Sequence, residues 1–176
     1  DVCSSDLTLV TRPPTVASLF DPATSSSPVP TPAQISSPFG PRWKHSKQEY
    51  DMHRGIDFYD DVGAAITAVA AGTVFQVHTE GGGSFSGGGN TVVVELAVSS
   101  ASTATFHDRT VKKWFSYYLH LDTIASGLAV GAPVTSGQDV GTMGQTGTTT
   151  FTHLHFETRL EGYCSHEYQF ANGRDP

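Results

Sequence analysis

From Ile35 onward no stretch of this 176-residue chain sustains a helical period; short β-branched and aromatic runs alternate instead with Gly, Asn and Asp. That pattern restricts the chain to an all-β fold of antiparallel sheets joined by turns. The predicted strands are Ala64 to Ala70 and Thr73 to His78 about Gly72, the run Thr91 to Val98, Lys113 to Leu121, and Phe151 to Leu160. Gly81 to Asn90 (GGGSFSGGGN) reads as a hairpin tip. With no helix after it and no Lys at the P-loop position, it does not read as a phosphate cradle.

The length suits one domain with a hydrophobic core rather than two. Leu7 to about Gln34 is rich in Pro, Ser and Thr and poor in large apolar residues, which predicts an extended linker in 1–34 ahead of a domain over 35–176. The alternative is an arm lying on the domain. Asp1 to Leu7 (DVCSSDL) back-translates to GAC GTG TGC TCT TCC GAT CT, which matches a common sequencing adapter. These residues are therefore expected to be foreign, and no Cys3 to Cys164 disulfide is inferred. Native coding sequence continuing upstream of Asp1 would refute this.

Seventeen Asp and Glu against ten Lys and Arg exclude a nucleic-acid binder that works by neutralising phosphates. The longest apolar run, Ala64 to Val77, is interrupted by Thr67, Gly72 and Thr73 and cannot span a bilayer. Two cysteines are too few for a zinc ribbon, so a metal would be held by nitrogen and oxygen.

Eight histidines are present. His45, His78, His107 and His166 stand alone and read as hydrogen-bonded structural residues. His153 and His155 differ, because alternation puts Phe151, His153, His155, Glu157 and Arg159 on one strand face. The two imidazoles are then about 7 Å apart along the strand, close enough for one to hold a metal and the other to touch water beside it. Alternation in the Lys113 to Leu121 strand groups Trp114, Ser116, Tyr118 and His120 on its less apolar face. His53 to Asp57 reads H-R-G-I-D, where Gly55 allows an unusual backbone angle and lets imidazole and carboxylate turn toward one point. Taken alone, this segment fits a surface turn as well as a ligand pair. Two His and one Asp form a known catalytic zinc set with a fourth position for water.

Together these segments resemble the lysostaphin-type (LytM-like) murein endopeptidases. The resemblance rests on F-G-P-R-W at Phe39 to Trp43, M-H-R-G-I-D-F at Met52 to Phe58, Y-L-H-L at Tyr118 to Leu121, G-Q-T-G at Gly144 to Gly147 and H-L-H-F-E at His153 to Glu157. It implies a barrel-sandwich-like duplicated hybrid motif with a substrate groove. It also implies that His53, Asp57 and His155 bind Zn2+, and that His120 and His153 form the catalytic pair. Glu157 is either an outer partner of that set or an ordinary carboxylate.

The activity implied is zinc-assisted hydrolysis of peptide bonds in bacterial peptidoglycan. One of His120 and His153 takes a proton from water, and the pair stabilises the oxyanion or protonates the leaving amine. Groove walls are expected from Gly81 to Asn90, Thr146 to Thr152 and Ser99 to Lys112, the last longer than the family's usual segment. The kinship also implies an exported protein; a monomer is expected. The rival function is a non-catalytic module that binds wall peptide or activates an amidase. Such modules lack one or more of the five residues, and all five stand here. A secreted signalling or adhesion protein with structural zinc is a third reading. The D-alanyl-D-alanine carboxypeptidase pattern is absent, and His166 to Phe170 (HEYQF) fails the H-E-x-x-H helix motif.

Overall fold

The computed structural model describes residues 25–30, 34–44, 48–80, 87–97, 104–106, 109–111 and 113–160. Cys3, Cys164, His45, His107 and His166 lie outside these residues, as do most of the Gly81 to Asn90 tip and much of Ser99 to Lys112. Among the described residues every regular element is a strand and every pairing is antiparallel, as the residue pattern predicts.

The first four strands are short: β1 (Gln34–Ser37), β2 (Gly40–Lys44), β3 (Glu49–His53) and β4 (Ile56–Tyr59). β5 (Ala65–Thr67), β6 (Gly72–His78) and β7 (Asn90–Leu96) follow, then the small hairpin of β8 (Ala104–Phe106) and β9 (Arg109–Val111). The chain continues through β10 (Trp114–Ile124), β11 (Pro133–Val134), β12 (Asp139–Met143) and β13 (Leu154–Leu160). The main sheet runs β1-β4-β13-β10-β7-β6-β11, with β12 joining β10 to β5, while β2 and β3 form a separate hairpin.

The core lies on one face of this sheet. Val74, Val92 and Val94 from the β-branched strands meet Tyr118, Leu121, Leu154, Val140, Met143 and Ile66, all at most 1% exposed. Side chains of this size contribute roughly 1.5–3 kcal/mol each on burial. The Tyr118 hydroxyl accepts the Val69 N–H at 2.9 Å, and burial pushes its pKa up to about 12.

Three features depart from the sequence reading. The Ala64 to Ala70 run is strand only over Ala65–Thr67, because Ala68 and Val69 turn their N–H groups to Gln138 and Tyr118 instead of a ladder. Within the segment read as an extended linker, residues 25–30 lie on the domain. Ser26 N–H donates to the Val69 carbonyl, Thr67 N–H donates to that of Pro28, and Val29 is buried in the core. Phe151 to His153 precede β13 rather than belong to it, since Phe151 turns back on the Thr149 hydroxyl.

Candidate metal and catalytic site

Cross-strand register assembles the site. Pairing of β13 with β4 sets His155 opposite Asp57, and pairing of β10 with β13 sets Leu119 opposite His155. Opposed residues in a ladder share a face, so Leu119, His155 and Asp57 stand on the side away from the core. His53 arrives from the end of β3, opposite Gly40 in the hairpin.

His120 reaches the same place by a different route. Strict alternation would put it beside Tyr118, whose face is the core and not the less apolar face expected. Instead His120 has φ +64°, and the β10–β7 register shifts between Tyr118 and Leu121. This bulge returns Leu121 to the core and turns His120 out toward His153, with ring centroids 4.7 Å apart. Left-handed φ in a residue with a Cβ costs of order 1–3 kcal/mol and persists only when its surroundings enforce it.

All five residues picked from the sequence meet in one cluster. His53 Nε2 lies 3.0 Å from Asp57 Oδ1, His155 Nδ1 lies 2.8 Å from that oxygen, and the two nitrogens are 3.1 Å apart. His153 Nε2 stands 3.7 Å from Asp57 Oδ1. His53, Asp57 and His153 are at most 5% exposed.

The outer ring nitrogens fix what the inner ones present. His53 Nδ1 donates to the Pro38 carbonyl at 2.7 Å, and His155 Nε2 donates to Glu157 Oε1 at 2.8 Å. In neutral rings the inner nitrogens are then bare lone pairs aimed at a carboxylate oxygen. Three acceptors at these distances repel unless positive charge sits among them, as either an extra proton or a metal cation. Ligand atoms of a tetrahedral site with bonds of 2.0–2.1 Å lie roughly 3.3 Å apart. The set therefore needs to open by only a few tenths of an ångström to hold such an ion. Two imidazoles and one carboxylate suit zinc and its neighbours in the first transition row.

Charge around the cluster follows from burial and partners. Burial alone would raise Asp57, but its close contacts with His155 and His53 hold it below the usual carboxylate range. Arg42 Nη1 adds a contact to Asp57 Oδ2 at 3.4 Å while donating to Ser37 Oγ. Burial works against a charged His155, yet Asp57 and Glu157 on either side raise its pKa. Glu157 is buried too, which would raise it, but His155 and Arg159 bring it down to about 2. Burial lowers both His120, to about 4, and His153. Each donates Nδ1–H to a carbonyl, His120 to Thr146 at 2.8 Å and His153 to Phe151 at 3.0 Å, which leaves two neutral rings with free Nε2 lone pairs.

The pH consequence has a definite sign. A histidine whose folded pKa lies below its unfolded value stabilises the fold above about 6.5, and that contribution is lost as pH falls through about 4. Metal-free protein should lose about 3 kcal/mol through His120 across this window. In urea titrations at pH 7 and pH 4, His120→Gln should show a smaller drop than the parent.

Gly55 acts differently from its expected role. Its φ is not left-handed; instead a Cβ there would come within 2.5 Å of the Phe156 carbonyl and 2.7 Å of His155 Nε2. Glycine is needed for close approach between the β3–β4 connection and β13. Sequence reasoning also missed Arg42, which lies inside the quoted F-G-P-R-W run, and Pro38, whose carbonyl sets the His53 tautomer.

The decisive comparison is with protein families: the model of peptidase family M23 matches residues 51–166, spanning the whole cluster. The chain belongs to peptidase family M23. Lysostaphin from Staphylococcus simulans is 30% identical over 115 residues, covering 65% of this chain and 19% of that protein. Peptidoglycan DD-endopeptidase ShyA from Vibrio cholerae is 30% identical over 136 residues, 77% of this chain and 27% of that protein. Among solved structures, a zinc containing peptidase from Vibrio cholerae superposes with TM-score 0.60 at 29% identity, over 78% of this chain and 36% of that one. The chain thus spans about a fifth to a quarter of the length of these sequence relatives. No helix among the described residues is long and apolar enough to cross a membrane.

Glu157→Gln tests the outer contacts of the His-Asp-His cluster. It keeps the side chain's shape but removes the charge between His155 and Arg159. Metal affinity, read by competition with a chromogenic chelator, should weaken about 10–100-fold.

Proposed function

We propose that the M23 domain is a zinc-dependent endopeptidase acting on the peptide part of bacterial peptidoglycan. His53, Asp57 and His155 hold the ion, and His120 and His153 handle the protons. The observation that carries this reading is the pair of neutral histidines, with free Nε2 positions, beside a convergent His-Asp-His set. A purely binding module has no use for them.

Zinc at such a set supplies a Lewis acid for a peptide carbonyl and makes water acidic enough to ionise near neutral pH. The chain's own residues supply the rest. Because both rings present lone pairs, one must first accept the proton of the attacking water. The imidazolium so formed then stabilises the oxyanion or delivers that proton to the departing amine. Arg42 occupies Asp57 Oδ2, so that oxygen is already neutralised by an ion pair. Phe151, 44% exposed and stacked 4.5 Å from His153, forms part of the face a substrate would meet.

Support for the substrate class comes from ShyA, a peptidoglycan DD-endopeptidase, and support for the metal from the zinc containing peptidase of Vibrio cholerae. An exported location follows from that substrate. The test is incubation of the zinc-loaded chain with defined peptidoglycan fragments, read by mass spectrometry with and without chelator. Cleavage of a peptide bond that stops on chelation is expected. Bound zinc with no cleavage would turn the reading to a wall-peptide-binding or amidase-activating module.

A further inference from the structure

We infer that Asn90 and Thr146 are positioning residues for His120, forming a clamp that holds its left-handed backbone and its ring tautomer; this rests on the proton-handling role proposed for His120. The clamp converges on the bulge from both sides. Asn90 Nδ2 donates to the carbonyls of Leu121 and Asp122, both at 3.0 Å, immediately after His120. The Thr146 hydroxyl donates to the same Leu121 carbonyl at 2.8 Å and accepts the Asn90 backbone N–H at 2.9 Å. The amide's orientation is unambiguous, because Asn90 Oδ1 accepts the Glu80 N–H at 2.8 Å.

The two connections, β6–β7 and β12–β13, then hold the histidine at one point each. His120 N–H donates to the Gly88 carbonyl at 2.8 Å, and His120 Nδ1–H donates to the Thr146 carbonyl at 2.8 Å. One residue thus uses its hydroxyl to fix the backbone after the bulge and its carbonyl to fix the ring. Gly89 and Gly147 make this approach possible. Both have positive φ, and a Cβ on either would come within 2.6 Å of the other's backbone nitrogen. Glu80 completes the link by accepting the Gly147 N–H at 2.9 Å.

A strained φ of +64° and a single tautomer both need enforcement, and these bonds supply it. With Nδ1 protonated by its contact to Thr146, Nε2 is the free base. If the clamp loosens, the ring is released to turn or to exchange its proton to Nε2, which removes the lone pair from the site.

Two sets of variants test the clamp in the zinc-loaded chain. Asn90→Asp keeps the acceptor facing Glu80 but points a carboxylate oxygen at two carbonyls. Thr146→Val deletes the hydroxyl at constant shape, and Thr146→Ser restores it. The expected result for Asn90→Asp and Thr146→Val is kcat lower by ~10–100-fold, the scale of a small misplacement of a reacting group. KM and zinc content should stay at parental values, with recovery in Thr146→Ser. Long-range 1H–15N spectra, with the His120 ring assigned by its absence in His120→Ala, should show loss of the pure Nδ1–H form. Unchanged kcat, or an unchanged His120 ring signal in both variants, would overturn the clamp. If Asn90→Asp does not fold, the Val and Ser pair decides alone. Failure of the peptidase reading is seen separately, as absence of cleavage by the parent chain, while the ring spectrum still reads the clamp.

Discussion

His120→Ala should leave a chain that holds one metal ion per molecule yet cleaves peptide about 10²–10⁴-fold more slowly, the usual worth of a positioned proton-transfer group. His120 is not among the three residues whose ligand atoms lie within 4.8 Å of one another. Its nearest site contact is His153, and its own proton goes to Thr146. Alanine is no less strained than histidine at φ +64°, so the substitution does not relax the bulge. The measurements are metal per chain by mass spectrometry under native conditions and kcat on a cleavable peptidoglycan fragment. Loss of metal in His120→Ala would show that the division between metal holders and proton handlers is wrong.

The strand β13 was legible because its alternation of apolar and polar residues persists in the structure. Leu154 and Phe156 alternate with His155 and Glu157, and the structure keeps that order, with Leu154 buried in the core and His155 toward Asp57. The same rule failed one strand away. Alternation holds in β10 through Leu119; at His120 a non-glycine residue takes positive φ, and nothing in Y-L-H-L announces it. His120 was found by its residue type and the resemblance around it, on a face assigned for the wrong reason.

What lay beyond the sequence is mostly contact at long separation. Pro38 on His53, Arg42 on Asp57 and Thr146 on His120 each join segments that no local pattern links. Two of these contacts use backbone carbonyls, which carry no side-chain signature at all. Residues 25–30 show the complementary limit. Their composition predicts poor ordering, yet Val29 and a few backbone bonds suffice to dock six residues against an existing edge.

Gly55→Ala should be among the most damaging single-methyl changes in the domain, because the added carbon meets backbone and site together. The Phe156 carbonyl at 2.5 Å, His155 Nε2 at 2.7 Å and Glu157 Cγ at 2.8 Å would all have to move. The first is a ladder residue of β13 opposite Ile56, so relief requires shifting the strand that sets His155 against Asp57. A cost of ~1–3 kcal/mol in urea unfolding is expected, together with metal content well below one per chain. Gly63→Ala is the matching control. Its φ is +87° with nothing within 4 Å of the added carbon, so only backbone strain of about 1–2 kcal/mol applies and metal content should stay at one. Equal metal content in the two variants would mean that close approach at Gly55 does not set the spacing of His155 and Asp57, the residues proposed to hold metal. Metal lost only in Gly55→Ala would tie the H-R-G-I-D glycine to the distance between strands rather than to a turn.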